Sequence, residues 1–181
     1  MVILESKPGQ LANRTFYFAY FIANAIEYGY KLYNPHFEEY KTHFPKVNAG
    51  DFLGYSIFTS LPQNKVFRYL YPKFRWHLPL RDTRQRFHRV FDIQEYDQAN
   101  REYDLNELDF VSAAQGKICW VSGWKFRDHN NLQKHHEAIR EIFTPSASVL
   151  SAARGNVSKH RENASQKVIG VHIRRKDYRD F

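Results

Sequence analysis

The densest chemistry in this sequence lies near its end, between Lys167 and Phe181, where His172, Arg174, Arg175, Lys176 and Asp177 stand almost side by side. They follow a short apolar, β-branched run, Val168 to Ile173, of the kind that fills a strand buried on both faces of a parallel sheet. His172 and Arg174 are two residues apart, so on an extended backbone both side chains point to one face. A guanidinium offers a rigid fork of donors that matches two phosphate oxygens at once. Asp177 is placed to hold an arginine or the histidine. Ligands of open α/β sheets bind beyond the carboxyl ends of the strands. The cluster therefore reads as an anion site, for a phosphate or pyrophosphate. A strand end with solvated charges is the plain alternative.

Such a site needs a parallel sheet behind it, and the start of the chain supplies one. Val2 to Leu4 is a minimal apolar strand, and Glu5 to Ala12 is a loop containing Pro8 and Gly9. Asn13 has the character of an N-cap, which predicts a helix from Arg14 to Tyr28. Phe16, Phe18, Phe21, Ile22, Ala25 and Ile26 make that helix apolar nearly all round, so most of its faces should be buried. Gly29 ends it, and Lys31 to Tyr33 is a second strand before Asn34-Pro35. Strand, glycine-bearing loop, helix and strand make a βαβ unit, which predicts an α/β fold: a Rossmann-like parallel sheet flanked by helices. Backbone N–H groups at the helix start are a second place for an anion, although the loop taken by itself reads first as a structural turn.

Further along, His36 to Phe44 suggests a short helix closed by Pro45, and Ser60 to Leu70 another helix. Tyr96 to Tyr103 reads as a loop, and Leu105 to Ala114 as a helix ending at Gly116. Lys117 to Ser122 reads as a buried strand. Asn130 or Asn131 is expected to cap a helix that runs to Phe143, ahead of Thr144-Pro145. Ser146 to Gln166 reads as a passage from helix to linker. His135 and His136 are adjacent and diverge on a helix. No histidine or cysteine set has metal-ligand spacing, so no metal is expected.

The chain has 181 residues and a hydrophobic share of 43%, which is enough for a domain with a real core. Its net charge of +8 favours anionic partners. Basic and aromatic residues interleave from Lys65 to Arg89, a pattern that also suits single-stranded nucleic acid or an anionic membrane surface. The lone Cys119 reads as a small buried hydrophobe. With no visible signal peptide and no apolar stretch of membrane-spanning length, the expected setting is cytoplasmic, with peripheral membrane contact as an option. The three sequons, at Asn13, Asn156 and Asn163, then count as chance.

His172-Ile173-Arg174-Arg175-Lys176-Asp177-Tyr178 resembles the H-x-R-R-x-D motif of inverting fucosyltransferases, most closely the alpha-1,2-fucosyltransferase group (glycosyltransferase family 11). Lys176 stands where that group has glycine. Gly9-Gln10-Leu11-Ala12-Asn13 is similar to the family's G-x-L-G-N-Q-M-F opening, with Ala12 and Arg14 departing from it. The stretch around Trp124 and Lys125 loosely resembles a third segment, G-Y-F-Q-S-x-K-Y-F. The resemblance implies a two-lobed GT-B enzyme: residues 1–163 as the acceptor-side Rossmann-like lobe, and residues 164–181 as the linker and first strand of a truncated nucleotide-sugar lobe. It implies transfer of fucose from GDP-fucose to a glycan hydroxyl with inversion, with no metal and little turnover by these 181 residues alone. Arg174 would meet the diphosphate, with His172 and Asp177 as the further catalytic motif positions. Arg175, Gly9, Gln10, Leu11 and Asn13 would bind the nucleotide sugar. No nucleic acid is expected on this reading. A basic single-stranded nucleic-acid-binding domain and an inactive glycosyltransferase relic stand as alternatives.

Overall fold

The computed structural model of the chain describes residues 1–61 and 88–159. Met1–Thr144 forms one compact unit and Pro145–Phe181 a second. Among the described residues, five parallel strands form the main sheet: β1 (Val2–Leu4), β2 (Leu32–Tyr33), β3 (Ile57–Phe58), β4 (His88–Asp92) and β6 (Ile118–Ser122). Their order is β3-β2-β1-β6-β4. β5 (Tyr103–Asp104) and β7 (Phe126–Arg127) pair in parallel as a separate ribbon.

β1 sits at the centre of the sheet because every one of its side chains is apolar and all three are buried. Val2 pairs with Leu32 on one side and Cys119 on the other, while Ile3 pairs with Tyr33 and Trp120. Alternation along a strand sends these two sets to opposite faces. Val2, Leu4, Leu32, Cys119 and Val121 enter the main core, and Ile3, Tyr33 and Trp120 form a smaller cluster. Burial pushes the Cys119 thiol up to about 11, as suits a cysteine used as a hydrophobe.

The main core is closed by α1 (Leu11–Tyr28) and α4 (Leu108–Gly116), through Phe18, Phe21 and Ile22 of the first and Phe110 of the second. At 18 residues, α1 runs roughly 27 Å. It begins at Leu11 with Gln10 as N-cap, so the expected cap Asn13 lies inside the first turn. Gly29 ends it in the left-handed region, its N–H donating to the Ala25 carbonyl. Phe16, expected inside, is 64% exposed.

A 3-10 helix (Pro35–His43) leads into α2 (Pro45–Ala49), so Pro45 opens a helix as well as ending one. Their Phe37, Phe44 and Val47 extend the core beside Phe18. The expected loop after Tyr96 contains the end of α3 (Gln94–Gln98), and β5 follows. The last helix of the first unit is split into α5 (His129–Lys134) and α6 (His136–Ile142), with His135 between them. Its cap is Asp128, which accepts from the Asn131 N–H, rather than Asn130 or Asn131.

Asp128 is also the centre of a buried polar knot. Its Oδ2 accepts from Asn24 Nδ2 at 2.7 Å and Asn131 Nδ2 at 2.8 Å. Its Oδ1 accepts from Asn131 N at 2.9 Å and Asn106 Nδ2 at 3.0 Å. Asn24, fully buried in α1, in turn accepts from the Tyr30 hydroxyl at 2.8 Å. Burial raises the Tyr30 phenol well above its ordinary range. Buried polar groups must find partners, and here the partners join α1, α5 and the loop after β5.

In the second unit, α7 (Ala147–Lys159) occupies the first part of the expected helix-to-linker passage. The expected lobe boundary at 163/164 and the predicted helix Ser60 to Leu70 beyond Leu61 lie outside the described residues. Among the described residues, no helix is long and apolar enough to cross a membrane.

Candidate functional site

The carboxyl ends of β1 and β6 lie side by side, and the chain leaves both in loops that are tied together. Glu5 N donates to Val121 O at 2.9 Å, carrying the pairing one step past β1. Gly123 N then donates to Ser6 Oγ at 2.7 Å. Between these loops and the start of α1 is a cleft of about 350 Å³, lined among others by Ser6, Lys7, Gly9, Asn13 and Trp124.

Gly9 makes the turn with φ +55°, and a Cβ there would lie 2.5 Å from Asn13 Nδ2. Only glycine meets both conditions comfortably. Arg14, one of the departures from the family opening, braces the same loop: its Nε donates to Gly9 O at 3.1 Å. Its guanidinium also donates to His36 O at 3.3 Å, pairs with Glu39, and lies over Tyr40. The first turn of α1 contains no acid, and no side chain hydrogen bond caps it at Gln10. Helix-start N–H groups and Lys7 together give the cleft a positive bias.

The structure divides the expected nucleotide-sugar residues of the opening. Gly9 and Asn13 line the cleft. Gln10 is the N-cap, its Oε1 accepting from the Tyr40 hydroxyl at 3.4 Å, and Leu11 packs against the main core. His172, Arg174, Arg175 and Asp177 lie outside the described residues. So does most of the basic run Lys65 to Arg89; Arg89 itself is paired with Asp109 through both terminal guanidinium nitrogens.

A second cleft, of about 250 Å³, shares Asn13 and Trp124 with the first and adds Phe16, Tyr17, Tyr20 and Arg127. Phe16 and Tyr20 are one helical turn apart on α1, so their rings project from the same face. Arg127, on β7, lies over the Tyr20 ring at 5.3 Å and the Trp124 ring at 5.2 Å. Its Nη1 donates to the Trp124 and Phe126 carbonyls, both at 2.8 Å, and its Nε pairs with Glu102 at 3.2 Å.

Tyr20 Oη is 3.2 Å from His129 Nδ1, and His129 Nε2 is 3.4 Å from Glu102 Oε2. If imidazole Nε2–H serves the carboxylate, Nδ1 is left to accept from the phenol. Burial holds the Tyr20 phenol above its ordinary range, with Arg127 opposing and Glu102 reinforcing the rise, so Tyr20 enters any contact as a neutral hydroxyl. Sequence reasoning had not singled out Tyr20, Glu102, Arg127 or His129. The available signal was the aromatic pair Phe16 and Tyr20 at helical spacing, which reads as core until the exposure of Phe16 is known. Lys125, from the loose third segment, is almost buried and donates to Asn100 Oδ1. Among the described residues, no three His, Cys, Asp or Glu side chains gather as metal ligands would. No protein-family model, no curated protein and no solved structure matches this chain.

Proposed function

We propose that this chain is fucosyltransferase-like, serving transfer of fucose from GDP-fucose to a hydroxyl of a glycan acceptor with inversion. In this reading residues 1–163 are the acceptor-side lobe of a GT-B arrangement, and residues 164–181 belong to the lobe that meets the diphosphate. The observation that carries it is the cleft beyond β1 and β6, where Gly9, Asn13 and Lys7 meet the uncapped start of α1. That is where an α/β sheet receives phosphorylated ligands, and it is also where the fucosyltransferase-like opening Gly9 to Asn13 falls.

The reaction needs fixed positive charge against a departing diphosphate, because such groups stabilise the charge as it develops. Arg174 is given that task, with His172, Arg175 and Asp177 as the supporting motif positions. The Gly9 loop supplies backbone close to the sugar nucleotide, and α1 contributes the positive end of its dipole. The reading calls for no resident metal.

Titration calorimetry with GDP tests it. The unaltered chain should bind GDP weakly, and Arg174→Ala should lose most of the heat. Equal heats from the two proteins would overturn the assignment.

A further inference from the structure

We propose that the second cleft is a binding subsite for one uncharged pyranose ring, which stacks on Trp124 and Phe16 while its hydroxyls meet Tyr20 and Asn13. It rests on the preceding reading only in giving that ring the role of acceptor; the binding itself stands on the cleft.

The surface has the two things a sugar requires. Flat apolar faces suit the C–H side of the ring: Phe16 is 64% and Trp124 41% exposed, both line the cleft, and a sugar would meet the part of the Trp124 ring that Arg127 and Lys125 leave uncovered. Exposed aromatics beside convergent polar groups mark a binding site more than a packing one. The polar groups are an amide at Asn13 and a phenol at Tyr20. The contact between Tyr20 Oη and His129 Nδ1 fixes the direction of the phenol, leaving its oxygen a lone pair for a ligand hydroxyl.

Charge and size narrow the ligand further. Arg127 brings a positive charge to the cleft, yet its Nε is paired with Glu102 and its Nη1 is occupied by two carbonyls. Glu102 already offsets the charge of Arg127, so a neutral ring is accommodated without disturbing that pair. The volume of about 250 Å³ is below the ~300–1,000 Å³ of sites for drug-sized molecules and suits a single ring. A nucleobase could also stack here, but the hydroxyl-directed Tyr20–His129 pair serves a polyol better. Because the two clefts share Asn13 and Trp124, a ring in the second lies beside whatever occupies the first.

The test is an NMR titration of the 15N-labelled chain, following the indole N–H of Trp124, assigned by its loss in Trp124→Phe. The probes are galactose, fucose, glucose and mannose, then glucuronate and guanosine. At least one neutral sugar should shift the Trp124 signal saturably in the millimolar range. Phe16→Ser, at an exposed position, should weaken that affinity at least fivefold, and Tyr20→Phe at least threefold. The indole signal of buried Trp120 reports whether each variant keeps its fold. The proposal is overturned if none of the four sugars shifts Trp124. It is equally overturned if guanosine or glucuronate binds tenfold more tightly than every neutral sugar, or if a folded Phe16→Ser binds as the parent does. GDP calorimetry on the same samples separates this failure from failure of the diphosphate site.

Discussion

Asp128→Asn is the sharpest probe of how the first unit is held together. The substitution keeps the shape of the side chain but turns one of two acceptor oxygens into an NH2 group. Each oxygen of Asp128 now accepts two hydrogen bonds, four in all, from Asn24, Asn106 and Asn131. Whichever way the new amide rotates, two acceptor bonds are lost and an NH2 faces two N–H donors. A hydrogen bond to a charged group is worth about 1.5–3 kcal/mol, so the gross loss is about 3–6 kcal/mol. A neutral amide costs less to bury than a carboxylate, which returns part of this. The net destabilisation should be about 2–4 kcal/mol. For a domain of this size that lowers Tm by roughly 5–15 °C. Urea denaturation followed by circular dichroism measures it, with Lys134→Ala as an exposed control that should move the midpoint far less. A midpoint for Asp128→Asn matching the parent within about 0.5 kcal/mol would show that the knot does not hold α1 to α5.

Two further outcomes follow from single residues. Gly9→Ala forces a side chain into a left-handed turn and against Asn13 Nδ2, so it should cost about 1–2 kcal/mol and weaken GDP binding. Unchanged stability and unchanged heats together would remove the loop from the site. Glu27 is held below the usual carboxylate range, first by its hydrogen bond from Lys134 and then by that from His135. A lowered carboxylate contributes stability above its unfolded pKa and loses it as pH falls through the folded value. Glu27→Gln should therefore differ from the parent near pH 7, and the two stability curves should converge on the acid side. Parallel curves from pH 7 to pH 2 would contradict that ion pair.

The parts of the fold that could be read from the sequence are those in which one strong local pattern decides the outcome. Ile118 to Val121 is uninterrupted apolar chain and forms β6; Gly29 ends α1 because a left-handed residue is needed there. The start of α1 was misplaced by Asn13, a good cap by residue type whose side chain instead packs back over Gly9. Ile57 and Phe58 are too few to announce a strand, and they become one only by pairing with β2. Phe16 was read as core because hydrophobicity cannot reveal that a residue faces a cleft. Asp128 draws two of its four donors from Asn24 and Asn106, far away in sequence, so local pattern does not reveal the knot. Gly9 and Asn13 are neighbours in sequence and share the loop into α1, whereas Tyr20, Arg127, His129 and Glu102 meet only through tertiary folding.

The place of β1 also has a consequence for how the chain matures. Its Val2 to Leu4 can pair with β2 early, and β3 then adds to β2, but the other edge of β1 is completed by β6, through partners such as Cys119. A growing chain thus carries an open row of backbone donors and acceptors until Ile118 to Ser122 has been made, and contacts of such long sequence separation form slowly. Chaperone dependence and loss to aggregates during expression should therefore track substitutions in Ile118 to Ser122 more steeply than their effect on the finished protein.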